Sequence, residues 1–455
     1  MALQIASGPE ENNGRVMFYH YLKLSVRSLR RNPVLTFLMI ASVAFGVSAS
    51  MTSYAVFRAA SGDPIPWKSS QLYFPQIDSW GSTSGNGKDE PNDAMTYLDA
   101  VQLLRDGRAP KQTALYQFRV TITPMDATQH PWAVPGHAVS GDFFSIVDAA
   151  FRYGGRWSSK EEQDHANVVV IDSDLNRRLF GDKSGVGLTL QLDQRSYRIV
   201  GVLDHWHPQP QFYDLANSNA FGPADQVFMP FTTSIDQGIF PAGSLRCPAT
   251  AGSRAPGFAG ILKSNCIWIG YMVELDSTTE HDQYLSYLDN YAREQQRSGR
   301  FGWAPNNRLR NLKQWLEYEQ VAPSDIKISL AVAFGLLVAC MVNTVGLLLA
   351  KFMRKAPEIG IRRALGASKQ EIVVQFLTES GGIGLAGGAL GGLMTWGGVI
   401  IMRSILDPDI TALVNVDLSL LVGTVLLAVA VTLLAGLFPT WRATQINPAL
   451  QLKGS

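Results

Sequence analysis

The sequence predicts an α-helical membrane protein with four transmembrane helices and a large α+β periplasmic domain inserted between helices 1 and 2. Three observations predict it. Four windows, Val34–Val56, Ile328–Ala350, Ser380–Met402 and Leu418–Trp441, hold no internal charge, and a helix needs about 20 apolar residues to cross the hydrocarbon core. Basic residues gather on one side of these windows, before the first and between the second and third. Between the first two lies a long polar stretch, Gly62–Asp325, with helix and strand patterns of its own. The 455 residues carry a formal net charge of +1, and that total says little, because the position of charges sets orientation in a membrane.

Residues 1–33 form a cytoplasmic segment. "ASGPEENNGR" has no core-forming pattern. Met17–Arg30, "MFYHYLKLSVRSLR", alternates apolar and basic residues at helical spacing and predicts an amphipathic helix on the membrane surface, with Pro33 at the junction. Lys23, Arg27, Arg30 and Arg31 precede the first span (34–61), while Lys351, Arg354, Lys355, Arg362, Arg363 and Lys369 lie between the second (326–351) and third (376–402). The positive-inside rule makes both regions cytoplasmic. The loop 403–417 opposes Asp407, Asp409 and Asp417 to a single Arg403, and the tail 442–455 carries Arg442 and Lys453. Both termini therefore lie inside, and 62–325 lies outside. The first window is longer than the apolar core of a signal peptide and predicts an uncleaved anchor.

Within 62–325, helical spacing appears over Asn92–Arg105, Glu280–Gln296 and Asn307–Glu319. "NVVVI" (Asn167–Ile171) reads as a buried strand, with Asp172 or Ser173 as the N-cap of the helix that follows. Leu188–Leu203 reads as two strands joined by a tight polar turn, Pro241–Gly260 as a long loop, and "CIWIGYMVEL" as a strand. Cys247 and Cys266 both fall in this domain, where an oxidising compartment allows a disulfide; two buried thiols are the alternative.

The third span has nine glycines, with Gly384, Gly388 and Gly392 at every fourth position. Such spacing lets backbones approach closely, at a subunit interface or sliding surface or else within one subunit. Asn343 is the most polar residue inside any span.

Motifs of catalysis are absent from the sequence. The nearest approach to a phosphate-binding loop, "SWGSTSGNGKDEP", has Ser82 where the first glycine belongs and Asp89 after the lysine. Neither G-x-S-x-G nor H-E-x-x-H occurs. His205 and His207 in "DHWHP" could share a strand face but lack a third ligand, so no metal site is assigned. No cofactor is expected on this chain.

The segment "APEIGIRRALGASKQEIV" (Ala356–Val373) lies between the second and third spans. Ile359, Ile361, Leu365, Ile372 and Val373 supply apolar positions of an amphipathic helix over 352–375, broken at Gly366. It could receive work from an ATPase, or it could be a basic loop that only fixes topology.

"EIGIRRALGASKQEIVVQFLTES" closely resembles the cytoplasmic segment of FtsX-like permeases, and "WRATQINPALQLKG" their C-terminal ending; "LKLSVRSLRRNPVLTFL" is similar to their entry helix. "VSGDFFSIVDAAFRYGGRW", "NVVVIDSDLNRRLFG" and "RSYRIVGVL" resemble the periplasmic core domain of MacB-type transporters, the mechanotransmission class of ABC systems. The likeness is weakest over Pro208–Ile267, which reads as an insertion or divergent subdomain. The resemblance implies a dimer of two copies or of paralogues, in the bacterial inner membrane, bound to a separate ABC ATPase subunit that holds ATP and Mg. It places Glu358, Ile359, Gly360, Ile361, Arg362, Arg363, Leu365 and Gly366 at the ATPase surface. The implied function is efflux from the periplasm, with a periplasmic adaptor and outer-membrane channel as further partners besides the lipid bilayer, and no nucleic acid. Lipoprotein extraction, or signalling to a cell-wall hydrolase or from a peptide, are its alternatives.

Overall fold

The computed structural model describes residues 32–81, 90–124, 130–248, 257–322, 324–405 and 416–445, with side chains described to 402 in the fifth of these stretches. The amphipathic helix expected over Met17–Arg30, the residues Ser82–Asp89, the loop charges Arg403, Asp407 and Asp409, and the tail beyond 445 lie outside them. The chain divides into two compact units, one of Met1–Ser61 with Ala322–Ser455, the other of Gly62–Val321.

Among the described residues, the helices of the first unit are, in chain order, α1 (Pro33–Ala60), α2 (Ser324–Arg354), the short α3 (Ala356–Ala364), α4 (Lys369–Ile405) and α5 (Leu418–Thr444). All but α3 are long and apolar enough to cross a membrane. Several run past their charge-free windows, since a started helix adds one hydrogen bond for each residue it orders. The segment 352–375 is accordingly shared among the end of α2, all of α3 and the start of α4.

Glycines set the spacing of α4. A Cβ added at Gly384 would meet Thr432 Oγ1 at 2.2 Å and Val429 Cα at 2.8 Å, and one at Gly388 would meet Val425 Cα at 2.9 Å, all on α5. A Cβ added at Gly387 or Gly391 would meet α1 instead, the first 3.0 Å from Val43 and the second 3.3 Å from the Ala44 carbonyl oxygen. The Gly384–Gly388 pair thus serves packing within one chain. Gly392 is different, with Leu421 at an ordinary 3.7 Å. Polar side chains join α1 to α2: Asn343 donates to Ser42 Oγ at 3.3 Å and Ser50 to the Ala333 carbonyl at 3.0 Å. At the other end Arg58 pairs with Asp417 at 3.0 Å. Asp417 caps α5, and the Leu420 N–H, then Arg58, hold its carboxyl down at about 2.

The second unit carries strands β1 (Leu72–Gln76), β2 (Met95–Thr96), β3 (Lys111–Thr123), β4 (Trp132–Val139), β5 (Phe151–Gly154), β6 (Val168–Ile171), β7 (Thr189–Leu192), β8 (Arg195–Leu203), β9 (Val227–Pro230), β10 (Ile267–Glu274) and β11 (Arg308–Asn311). They form one mixed sheet in the order β11-β1-β10-β3-β4-β9-β6-β8-β5, with β2 on β10. Because β7 pairs with both β3 and β8, the strands β3, β4, β9, β6, β8 and β7 close into a ring. Closure removes edges that would otherwise template foreign strands. The β7–β8 hairpin turns at Asp193 and Gln194, with φ of 45° and 68°, the pairing of positive angles that matches strand twist. Asp172 caps the helix Ser173–Phe180 by accepting from the Leu175 N–H at 2.8 Å.

Three expectations need correction. The helix predicted from Asn92 begins at Tyr97, behind the N-cap Thr96. The helix predicted over Asn307–Glu319 is strand β11 followed by a helix over Leu312–Tyr318 only; four antiparallel pairs with β1 override the helical spacing. And Pro208–Ile267 is not wholly an insertion, since it supplies β9 at the middle of the sheet, between β4 and β6.

That segment is fastened by a buried ion cluster. His137 of β4 lies with Nε2 3.0 Å from Asp214 and Nδ1 2.7 Å from Asp225, all three buried. Tyr213 donates to Asp225 at 2.5 Å and Asn217 to Asp214 at 2.7 Å. Burial by itself pushes the imidazole down, but the two carboxylates outweigh it and raise His137 to about 9.

Two outcomes follow for stability. Gly388→Leu should lower the thermal midpoint of the detergent-purified protein by several degrees, whereas Gly392→Ala should leave it near the starting value. Because the folded His137 titrates above its ordinary 6.5, its contribution is complete below that pH and fades as pH rises toward 9. Protease resistance of the periplasmic unit should decline over that window, and His137→Gln should abolish the trend while weakening the unit at the lower pH.

Candidate functional site

The basic rim between α2 and α4 is made by two chain reversals. Lys355 leaves the helix at φ −91°, ψ 4°, and Pro357 follows in the first turn of α3, where its missing N–H costs no hydrogen bond. At the far end Gly366 adopts φ +104°. Its N–H donates to the Arg363 carbonyl at 3.2 Å and that of Ala367 to the Arg362 carbonyl at 3.0 Å, closing a Schellman cap. A capping box then opens α4: Ser368 Oγ accepts from the Glu371 N–H at 3.2 Å, and Glu371 accepts from the Ser368 N–H at 3.1 Å. The short linker is therefore closed by its own hydrogen bonds.

Side chains fix α3 against the bundle. Arg362 pairs with Glu358 at 2.8 Å and donates to Gln375 at 3.1 Å. Arg363 donates to the Thr444 carbonyl at the end of α5, at 3.2 Å. Gly360 is buried, and Ile359 enters a cluster with Leu348, Phe352, Ile372, Phe376 and Ala443. Ile361 and Leu365 do not, being 54% and 83% exposed. The sequence counted these as apolar positions of one helix, but Ile359 and Ile361 are two residues apart on α3 and so face opposite ways, Leu365 lies one turn beyond Ile361 on its side, and Ile372 comes after the reversal at Gly366. Val373 is half-buried.

A residue the sequence reading passed over completes the rim. Glu379 of α4 is 1% exposed, with Lys351 Nζ at 2.6 Å and Lys355 Nζ at 3.0 Å. Phe352 and Phe376 stack beside it, centroids 4.0 Å apart. The available signal was the pair of lysines four apart at the end of one span and a lone acid at the start of the next.

Elsewhere, Cys247 and Cys266 are bonded, next to a two-hydrogen-bond bridge between Arg246 and Ile267. His205 and His207 part company: the first approaches Ser173 Oγ at 3.3 Å, and the second lies with Asp172 and Asp174, their ligand atoms within 4.8 Å. Burial lifts Asp172 to about 6, and it already accepts the capping N–H of Leu175.

The rim holds no pairing of nucleophile and base among the described residues. It is a pinned surface with exposed apolar side chains, Ile361 and Leu365 the most exposed of α3 and its cap, and is suited to binding. Residues 36–283 match the family described as the MacB-like periplasmic core domain, and 330–448 match the FtsX-like permease C-terminal family. The chain belongs to the FtsX/MacB family of permeases. It is thus an ABC-transporter permease, a membrane protein with a MacB-like periplasmic domain.

It is 24% identical over 389 residues to the macrolide export ATP-binding/permease protein MacB of Salmonella paratyphi A, covering 82% of this chain and 52% of that protein. Against MacB of Escherichia coli strain K12 it is 24% identical over 383 residues, with the same coverage. The chain therefore spans about half the length of the curated relatives it matches. Among solved structures, the periplasmic region of MacB from Actinobacillus actinomycetemcomitans aligns at 10% identity and TM-score 0.35, covering 56% of this chain and 94% of that one.

At Gly366 an added Cβ meets nothing within 4 Å, so loss on substitution reports chiefly the backbone angle. Gly366→Val should cost about 1–2 kcal/mol, read as a lower thermal midpoint, while Ala367→Gly should cost less.

Proposed function

We propose that this permease sits in the bacterial inner membrane and works with a separate ATPase subunit that binds ATP and Mg. It converts ATP hydrolysis into movement of its periplasmic unit, and that movement drives efflux of a substrate from the periplasm. Two permease copies, or two related permeases, pair over an ATPase dimer.

The observation that carries this reading is the exposure of Ile361 and Leu365 on a short helix and its C-cap that Arg362 and Arg363 anchor to α4 and α5. Apolar side chains that stand free on a rigid, charged rim fit the small central anchors of a protein interface, with Glu358, Arg362 and Lys369 as its polar surround. Differential contact of the ATPase with this rim in its two nucleotide states supplies the bias. Rigid helices carry it outward as a body. The names of the relatives, which join macrolide export and ATP binding to the permease, support the direction of transport and the energy source.

Ile361→Asp with Leu365→Asp tests the interface without touching the bundle. Recovery of an ATP-binding subunit with the tagged permease in mild detergent should fall at least tenfold, the equivalent of about 1.4 kcal/mol. Undiminished recovery, with ATPase activity equal to wild type, would overturn the assignment.

A further inference from the structure

The carboxylate of Glu379 makes two separate ion contacts to two different parts of the rim. Oε1 holds Lys351, one turn before the end of α2, and Oε2 holds Lys355, the non-helical corner between α2 and α3. Lys351 is fully buried and Lys355 mostly so. The Phe352–Phe376 stack lies alongside, and Lys355 sits 5.9 Å from the centre of the Phe376 ring. A second anchor reaches α4 one turn earlier, from Arg362 to Gln375.

We propose that Glu379 is the positioning residue of the coupling rim. It locks the α2–α3 corner to α4, so that a push received on α3 moves α2 and α4 together. This rests on the function proposed above.

A buried ion pair fixes geometry more than it adds stability. In a low-dielectric surrounding a lysine cannot slide off its carboxylate without leaving a charge uncompensated, so intermediate stances of the corner are excluded. Stability does not require it, because apolar residues of like volume commonly hold a core equally well or better. A purely structural role is therefore restored by an apolar replacement. A positioning role is not, since an apolar contact is non-directional and lets the corner slip.

The test uses the purified permease–ATPase complex in liposomes, comparing wild type, Lys355→Met, and the double variant Lys351→Met with Glu379→Leu. Lys355→Met leaves the buried Lys351–Glu379 pair in place, and the double variant removes that pair and leaves Lys355, whose 19% side-chain exposure lets its ammonium turn toward water. Three readouts are taken: recovery of the ATPase subunit, thermal midpoint, and the ATP-dependent change in a fluorescent label on the periplasmic unit. The expected result is wild-type recovery and midpoint in both variants, with the ATP-dependent change reduced at least fivefold. A double variant with a normal midpoint and an undiminished change would overturn the role of Glu379, as would loss of the change only in step with a falling midpoint. If the Ile361 and Leu365 substitutions leave ATPase recovery intact, the function itself fails, a result separate from either of these.

Discussion

Close approach of the α4 backbone to two neighbours at once is the constraint on which the membrane unit depends. Inside a bilayer the lipid chains are as apolar as leucine, so helices gain little by merely hiding apolar surface from each other. What remains is van der Waals contact and the few hydrogen bonds that reach across. Gly384 and Gly388 give α4 its contact with α5, and Gly387 and Gly391 give it contact with α1 on another side. One helix thereby organises the bundle, and its position is set to within the width of a methyl group. Ser50 and Asn343 add the hydrogen bonds that bring α2 to α1.

Much of this was legible, and the failures have identifiable causes. Four long uncharged runs announce four spans because nothing in a soluble core demands so many residues without charge. The glycine row announced close packing but not with what, since spacing along one helix carries no information about the partner. Glu379 escaped notice because a search for charge-free windows stops at the first acid, so the window opens at Ser380 although the span reaches back to Phe376. In the folded chain α4 runs from Lys369, and Glu379 is among its most buried residues. Strand β11, "RLRN", was hidden by its charges; it is a short edge strand that needs only one buried side chain, Leu309. The hairpin of β7 and β8 was plain for the opposite reason, its turn residues and strands both being local.

The periplasmic unit depends on contacts distant in sequence. Ring closure needs β7 to reach β3 and needs β9 to enter between β4 and β6. The chain around β9 is a long irregular excursion, and the unit controls it by enclosing polar groups in matched sets: His137 with Asp214 and Asp225 near one end, and the Cys247–Cys266 bond near the other. A disulfide persists where the surroundings oxidise thiols, which accords with a domain outside the cytoplasm. Two different chemistries thus do what a larger apolar core would otherwise have to do for these loops.

The same contrast explains the rim. Apolar burial without interlocking backbones is non-directional, and it would hold a short helix between two spans less definitely than the glycine contacts hold α4. Charges held at hydrogen-bonding distance in a buried place resist separation and sliding alike, because each small displacement loses Coulomb energy that nothing else returns. The Schellman cap and the capping box make the far end of α3 equally definite. An element so fixed can have few intermediate positions. Ile361 and Leu365 face outward from its most constrained part. That is where an applied force would be transmitted with least loss to deformation.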